Sequence, residues 1–599
     1  MEENGSSVFV KPLVPTPDTL AKLIKRLRIL TVTLLPLEVD PGSINDPTSR
    51  IITPKVITAY TKAAGDLVEA LPYCLLRARR DFMIEANRDA ADYGENRGRA
   101  IACEVLARRI IHNSPMDRIP VIMSWRYRHR QSDGDIEFSS AIELAIDSHC
   151  TIFLSSSEAQ DVINALWRGD LVQRRDDDHD VVYVPAYERG DSSFWSHWDP
   201  TRIAIPRYQN SLRIAIWLFF LVVYSQAVRE PLDRLDPLRR HFDLWEIVLY
   251  VMALAFSFED LNSIFKTLRF ATWRAFGFWH VAAVTTDALL LTAFILRAYG
   301  LASPEGKRDQ LLLHSFQVLS FVSPFIWTKL VTVFDGHKYV GTMQICVTRM
   351  FRESGIFFAL LSILGIGFLQ GLYALDAADG EVESSIDVMH AMVQSLLQAP
   401  NYEKFANSTA GITLYYFWNV ATALVLINVL ISLFSSAYSD VVGDAEAEYL
   451  AFFASKAVAM IRAPDTYVYP APFNLIETIF VAPLESFMSS STYAKFNRSF
   501  MTVLFFIPMM IIAFYESNPS KKNWLDDFIN GTPLDEDDSL AARDPDGEDG
   551  IVISRFPFSE LVTVFPNTHE SGEANIVKEI HELKTQLDAL IRSLDVQKS

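Results

Sequence analysis

Apolar residues crowd into long runs between positions 212 and 437 and again between 500 and 515, while the first 200 and last 80 positions mix apolar and polar residues as soluble sequence does. A helix needs about 17–25 mostly apolar residues to cross the hydrocarbon of a bilayer. Six runs meet or approach that length: Leu212–Val228, Leu244–Phe258, Phe276–Leu296, Leu311–Trp327, Gly355–Leu375 and Gly411–Tyr438. An even number of spans keeps both ends on one side. No basic leader with an apolar core follows Met1, so the first span is expected to act as the insertion signal, with both termini cytosolic. Arg229, Arg234, Arg239 and Arg240 between the first two spans argue for the opposite orientation. The pore segment described next outweighs them.

Between the fifth and sixth spans, Asp387–Ala399 is moderately apolar but as a helix reaches only about 20 Å, too short to cross. Pro400 is expected to end it. A short helix that enters a bilayer and returns as non-helical backbone is tolerated only where it lines a water-filled cavity. The segment therefore predicts a pore helix followed by a selectivity filter over Gln398, Ala399, Pro400, Asn401, Tyr402 and Glu403. Glu403 repeated in four copies makes a ring of negative charge that draws cations; the other reading is an ordinary loop carboxylate. Asp376, Asp379, Glu381 and Glu383 precede the pore helix, where they either concentrate cations and hold Ca²⁺ weakly on the lumenal side or form a solvated loop. In the sixth span Asn428, Ser432 and Ser435 share a helical face beside Ile427, Ile431 and Phe434. Apolar rings gate by dewetting, so Ile431 is the expected gate, with Phe434 and Asn428 beside it; lipid-side packing and interhelical bonding are the alternatives. The fourth span lacks spaced arginines, which excludes a charged voltage sensor. His314 there reads as a helix–helix contact. Gly365, Gly367 and Gly371 read as close helix packing. Asp287 in the third span reads either as an ion relay or as a paired polar group.

The expected fold is an all-α polytopic membrane protein with six transmembrane helices, a re-entrant pore loop between the fifth and sixth, a helical cytosolic N-terminal domain and a C-terminal coiled coil. The expected divisions are a cytosolic domain over 1–205, a four-helix membrane domain over 206–327, a linker over 328–354, a pore domain over 355–440, cytosolic or interfacial helices over 441–515, an acidic linker over 516–572 and a coiled coil over 573–599. The last rests on Ile576, Ile580, Leu583, Leu587, Leu590 and Leu594, which alternate four and three apart. Residues 500–515, broken by Pro508, read as a buried or interfacial helix rather than a seventh crossing. In the N-terminal domain, Ser157 to Gln160 fits a capping box ahead of a helix over Val162–Leu171, and Val181–Val184 fits a strand.

A net charge of −19 argues against nucleic-acid binding. Four scattered cysteines, Cys74, Cys103, Cys150 and Cys346, provide neither a disulfide framework nor a zinc site. No phosphate-binding glycine loop, HExxH or GxSxG is present, so an enzyme is not expected and no cofactor is called for. A secondary ion transporter is the alternative; it needs repeated halves, and no internal repeat is visible. Basic groups at Lys25, Arg26 and Arg28 and at Arg77, Arg79 and Arg80 are candidates for anionic lipid headgroups, or else solvated faces. Asp535, Glu536, Asp537 and Asp538 cluster in the tail, either a loose Ca²⁺ sensor or an acidic linker.

Phe334-Asp335-Gly336-His337-Lys338-Tyr339, Arg352 to Leu361, Tyr415-Tyr416-Phe417-Trp418-Asn419, Leu426 to Phe434 and Ile461-Arg462-Ala463-Pro464-Asp465 resemble the fungal vacuolar branch of the transient receptor potential channels. The resemblance implies a homotetrameric, mechanosensitive cation channel of the vacuolar membrane that releases Ca²⁺ into the cytosol and also passes K⁺ and Na⁺. It further implies control by stretch, cytosolic Ca²⁺ and phosphoinositides. The tryptophan-rich box that follows the last span in many relatives is absent here; Asp444–Met460 reads instead as a helix. Neutralising Asp535–Asp538 is expected to blunt activation by cytosolic Ca²⁺ in patch recordings, and an intact Ca²⁺ response would move the sensor elsewhere.

Overall fold

A computed structural model describes residues 13–46, 49–130, 136–175, 181–185, 197–229, 241–270, 278–378, 384–406, 408–461, 469–485, 487–517 and 583–584. The chain forms two compact units. One comprises 1–209, 454–468 and 491–599; the other comprises 210–453 and 469–490.

The first unit is a helical domain. Helix α1 (Pro17–Leu34) starts where Thr16 accepts the Thr19 N–H and Pro17 presets the first turn, and it buries Leu20, Leu23, Ile24 and Leu27. It packs on α2 (Leu71–Arg88) and α3 (Tyr93–His112). Burial raises the thiols of Cys74, Cys103 and Cys150 and keeps them neutral. Two antiparallel hairpins interrupt the helices: β1 (Arg126–Arg130) with β2 (Ile136–Ser140), and β3 (Leu171–Arg175) with β4 (Val181–Pro185). The expected strand at Val181 is thus present. Leu171, expected to close a helix, opens β3 instead. Helix α4 (Ser157–Arg168) is capped by Ser156, one residue earlier than the sequence pattern implied, and stops at Gly169, whose φ of +85° favours glycine. The reciprocal capping box sits elsewhere, between Ser140 and Glu143.

The membrane-crossing candidates follow. Helix α5 (Pro206–Arg229) is succeeded by α6 (Leu244–Phe270), α7 (Phe278–Ala302), α8 (Glu305–Phe321), α9 (Ser323–Val333) and the linker helix α10 (Lys338–Glu353). Among the described residues five spans are long and apolar enough to cross: Pro206–Arg229, Phe278–Ala302, Lys307–Val333, Gly355–Leu375 and Thr409–Ser436. Helix α6, the expected second span, falls outside that group; it carries Glu246, Glu259 and Asp260 among its apolar residues. All three charges are paired within the bundle, Glu259 with Arg213 at 3.2 Å. Glu246 meets Arg297 at 3.1 Å, each side chain 3% exposed, and Asp260 meets Lys329 at 2.6 Å. Lys329 also lies over the Trp217 ring, and Asp287 sits beside Ser257, Asp260 and the Lys329 charge. Asp287 is therefore a member of a polar cluster. The bundle core is Trp217, Phe220, Tyr224, Leu249, Leu290, Leu319 and Ile326.

The fourth crossing is longer than expected. It continues past Trp327 to Val333, with a break between two helices at Val322 ahead of Pro324, and so takes in Lys329. His314 is exposed and bonds Gln317 on its own helix rather than a neighbouring one. Near the far end of the chain, α16 (Ser490–Leu504) and α17 (Phe506–Ser517) meet at 83°, and the break falls at Phe505, not at Pro508. Within the first unit, α17 is held by Trp198 against Phe506, by Arg207 donating to Tyr515 (2.8 Å), and by Glu516, which takes the Tyr208 hydroxyl (2.8 Å), His197 and Arg202. The heptad segment, apart from residues 583–584, and Asp379, Glu381, Glu383 and Asp535–Asp538 lie outside the described residues.

Removing one member of a buried ion pair leaves the other charge uncompensated and costs about 3–5 kcal/mol, whereas replacing both with apolar groups is often neutral. Arg297→Met is therefore expected to lower the melting temperature and yield of the purified protein. Adding Glu246→Met to it should restore most of both; no recovery in the double variant would show that the pair is not what the helices depend on.

Candidate functional site

The fifth span is α11 (Gly355–Ala378), the pore helix is α12 (Ser385–Leu396), and the sixth span begins with α13 (Thr409–Val420). Ser384 caps α12 and Ser408 caps α13, so serines open both helices. The pore helix stops at Leu396, four residues before the proline expected to end it. Gln398 ends it instead, with φ +62°, a left-handed residue without glycine's freedom. The Ala399 N–H then reaches back to the Gln394 carbonyl at 2.9 Å.

In the turn that follows, each N–H from Leu397 to Asn401 has a partner. Leu397 N–H bonds Val393 O, Gln398 N–H bonds Ser395 O, and Ala399 N–H bonds Gln394 O. Pro400 has no N–H. Asn401 N–H donates to the Tyr415 hydroxyl at 3.3 Å. The side chains of Gln398, Ala399, Asn401, Tyr402 and Glu403 are exposed in the single chain, and Pro400 is half-buried. Glu403 opens a short 3₁₀ turn through Phe405, with Lys404 as its neighbour.

Behind this turn α13 is bolted to α12. Tyr415, fully buried, donates to Ala391 O at 3.0 Å; Trp418 Nε1 donates to Met392 O at 3.3 Å; the Ser395 hydroxyl donates to Asn419 Oδ1. Asn419 Nδ2 in turn donates to Tyr415 O. Leu372, Val388, Met392, Phe405, Tyr415 and Trp418 make the apolar core around these bonds. Gly371 lets Leu414 approach: a Cβ there would lie 3.0 Å from Leu414 Cδ2. Gly365 and Gly367 have no such tight contact within the chain. Tyr415, Trp418 and Asn419 were not expected as site residues, although an aromatic–amide run inside a span was the signal that could have found them.

Below Val420 the sixth span changes register. Ala421–Leu426 is a π-helical turn, and α14 (Ile427–Gly443) continues from it. Asn428, Ile431, Ser432 and Ser435 are exposed along α14, Ile431 by 60%, and Phe434 is half-buried. The helix that replaces the tryptophan box is α15 (Ala445–Ile461). Its Tyr449 donates to Gly336 O at 3.0 Å and fills the space over Gly341, where a Cβ would fall 2.9 Å from the Tyr449 ring. Lys338 pairs with Glu446 at 2.8 Å. The helix after the sixth span is thus joined to the linker helix α10.

The basic candidates separate in the first unit. Arg28 pairs with Glu85 and Asp81, Arg77 and Arg80 with Glu137, and Arg79 with Glu104. The side chains of Lys25 and Arg26 are exposed, as is Lys22 beside them. Asp376 lies at the end of α11.

A charge-paired helical bundle followed by helix, re-entrant helix and helix is the architecture of a pore-loop cation channel. The family described as calcium channel YVC1-like, C-terminal matches residues 216–517, and the TRPY1 N-terminal linker helical domain matches residues 20–198. The calcium channel YVC1 of Candida albicans is 30% identical over 508 residues, covering 82% of this chain and 74% of that protein. The calcium channel YVC1 of Saccharomyces cerevisiae is 28% identical over 544 residues, covering 87% and 78%. A solved structure of PI3P- and calcium-bound full-length TRPY1 has a similar fold, with a TM-score of 0.67 at 22% identity, over 87% of this chain and 91% of that one. The chain belongs to the YVC1-like calcium channels of the transient receptor potential group, and is a channel rather than an enzyme.

An apolar constriction holds a pore closed by excluding water. Ile431→Ser is expected to raise the resting current several-fold in patch recordings; a silent variant would place the closure away from this face of α14.

Proposed function

We propose that four copies of this chain form a non-selective, calcium-permeable cation channel of the vacuolar membrane, with both termini cytosolic, which releases Ca²⁺ into the cytosol and also passes K⁺ and Na⁺. The observation that carries this reading is the re-entrant turn over 397–401: its N–H donors are engaged behind it while its side chains, the half-buried Pro400 apart, stand exposed. A surface that has used its donors offers oxygen, which suits cations. Family membership supports Ca²⁺ as the permeant ion. The exposed carboxylate of Glu403 supports a ring of charge at the narrow point, and Asp376 at the head of the pore loop supports a lumenal mouth that concentrates cations. The exposed stripe Asn428, Ile431, Ser432 and Ser435 supports a gate on α14 that faces other copies.

Control by membrane stretch, cytosolic Ca²⁺ and phosphoinositides completes the reading. The joint between α10 and α15 provides a mechanical route from the charge-paired bundle to the gate. The PI3P bound to the TRPY1 structure supports a phosphoinositide as a ligand here, with Lys25 and Arg26 the candidates whose side chains are exposed. Ca²⁺ serves as permeant and regulatory ion, and no other cofactor is invoked.

Purified protein in a planar bilayer is expected to give ohmic unitary steps; slow, saturable flux would favour a transporter. Glu403→Gln should lower divalent relative to monovalent permeability by about threefold or more, since a nearby charge at an effective dielectric of about 20 is worth roughly 4 kcal/mol at contact distance and less as water intervenes. Unchanged reversal potentials would remove Glu403 from the filter.

A further inference from the structure

The Tyr415 hydroxyl touches two backbone groups that belong to different parts of the pore loop. It donates to Ala391 O in the pore helix and accepts from Asn401 N–H in the turn. Its ring is gripped by Tyr402 at 5.8 Å and Phe405 at 4.9 Å between centroids. With its proton donated to Ala391 O, the hydroxyl oxygen is left to accept the Asn401 N–H. Trp418 and Asn419 also bond the pore helix, but neither reaches the turn.

The consequence lies in peptide geometry. A trans peptide is planar, and its N–H and C=O point in opposite directions. The Pro400–Asn401 bond is not cis; the cis bond among the described residues is Ala471–Pro472. With Asn401 N–H drawn toward α13, the Pro400 carbonyl must point away from the wedge of α12 and α13. Proline brings no N–H of its own to compete at this position.

We propose that Tyr415 is the positioning residue of the filter, and that it aims the Pro400 carbonyl oxygen at the permeating cation. The ligand class is a hard, partly dehydrated cation such as K⁺ or Ca²⁺. This rests on the reading of residues 398–403 as the filter. It adds a backbone ligand to the Glu403 carboxylate and names the side chain that orients it. Tyr402 and Phe405 keep the Tyr415 ring in place, and Asn419 holds its backbone.

The test uses the full-length channel in planar bilayers. Tyr415→Phe deletes the hydroxyl and keeps the ring. It is expected to assemble and to change the Ca²⁺/K⁺ permeability ratio or the unitary conductance by about three- to tenfold, the span that the net value of one hydrogen bond allows. Tyr224→Phe deletes a buried tyrosine hydroxyl that donates to a backbone carbonyl, Leu319 O, in the bundle and not in the pore loop, and is expected to leave both readouts near the wild type. Wild-type values in Tyr415→Phe, or an equal shift in Tyr224→Phe, would overturn the proposal by reducing the Tyr415 effect to the loss of any buried hydroxyl. Should Tyr415→Phe fail to assemble, an amide-to-ester replacement of the Pro400–Asn401 bond deletes the same N–H with the tyrosine intact, and an unchanged ratio there overturns it equally. Asn401→Cys separates this result from the underlying reading. Block by silver ion shows that the turn lines the pore, whereas a channel that conducts normally in silver rejects the filter assignment and the Tyr415 proposal with it.

Discussion

Backbone that enters hydrocarbon without forming a helix has no water to satisfy its amides, and each lost bond costs several kcal/mol. The pore loop meets this constraint one donor at a time. Three N–H groups fold back onto the pore helix, a proline removes the fourth, and a buried tyrosine takes the fifth. Much else follows from that arrangement. The left-handed Gln398 is the geometric cost of turning the chain back on itself, and the bonds from Tyr415, Trp418 and Ser395 keep the two helices close enough for the tyrosine to reach. Gly371 admits Leu414 behind them, so the fifth span backs the same joint.

The bundle ahead of the pore solves a related problem with charge. Glu246 and Arg297 are both deeply buried, and Asp260, Asp287 and Lys329 gather around Trp217. Carboxylates and cations inside a membrane domain persist where they neutralise one another. These contacts tie α6 to α7 and to α9 with directional bonds rather than with apolar packing, which has little driving force among lipid tails. From this charge-paired bundle, α10 leads to the joint at Tyr449.

The spans and the re-entrant helix were legible because length and apolarity are what a bilayer reads. The turn boundaries were less so. Pro400 was the obvious breaker, yet the helix had already ended at a glutamine, since a tertiary bond network can hold an ordinary residue in a conformation it rarely adopts alone. The apolar run of the fourth span ends at Trp327, but the helix goes on to Val333 and takes in Lys329, whose partner Asp260 is on another helix and has no local signature. The same blindness applied to Arg77, Arg79 and Arg80, which read as a basic patch and prove to be committed to Glu137 and Glu104 far along the chain. Tyr415 stood within a recognised run of residues, but its role depends on a contact with Asn401 that only folding creates.

The π-helical turn at Ala421–Leu426 divides the last span into two stretches that need not turn together. An α-helix advances about 100° per residue, so one residue gained or lost in hydrogen-bond register swings everything downstream by that angle. Above the turn, α13 is pinned to the pore helix and cannot rotate without breaking the bonds from Tyr415, Trp418 and Asn419. Below it, α14 packs on the linker helix α10. The two ends of one helix thus answer to different neighbours, with one wide turn acting as the clutch between them.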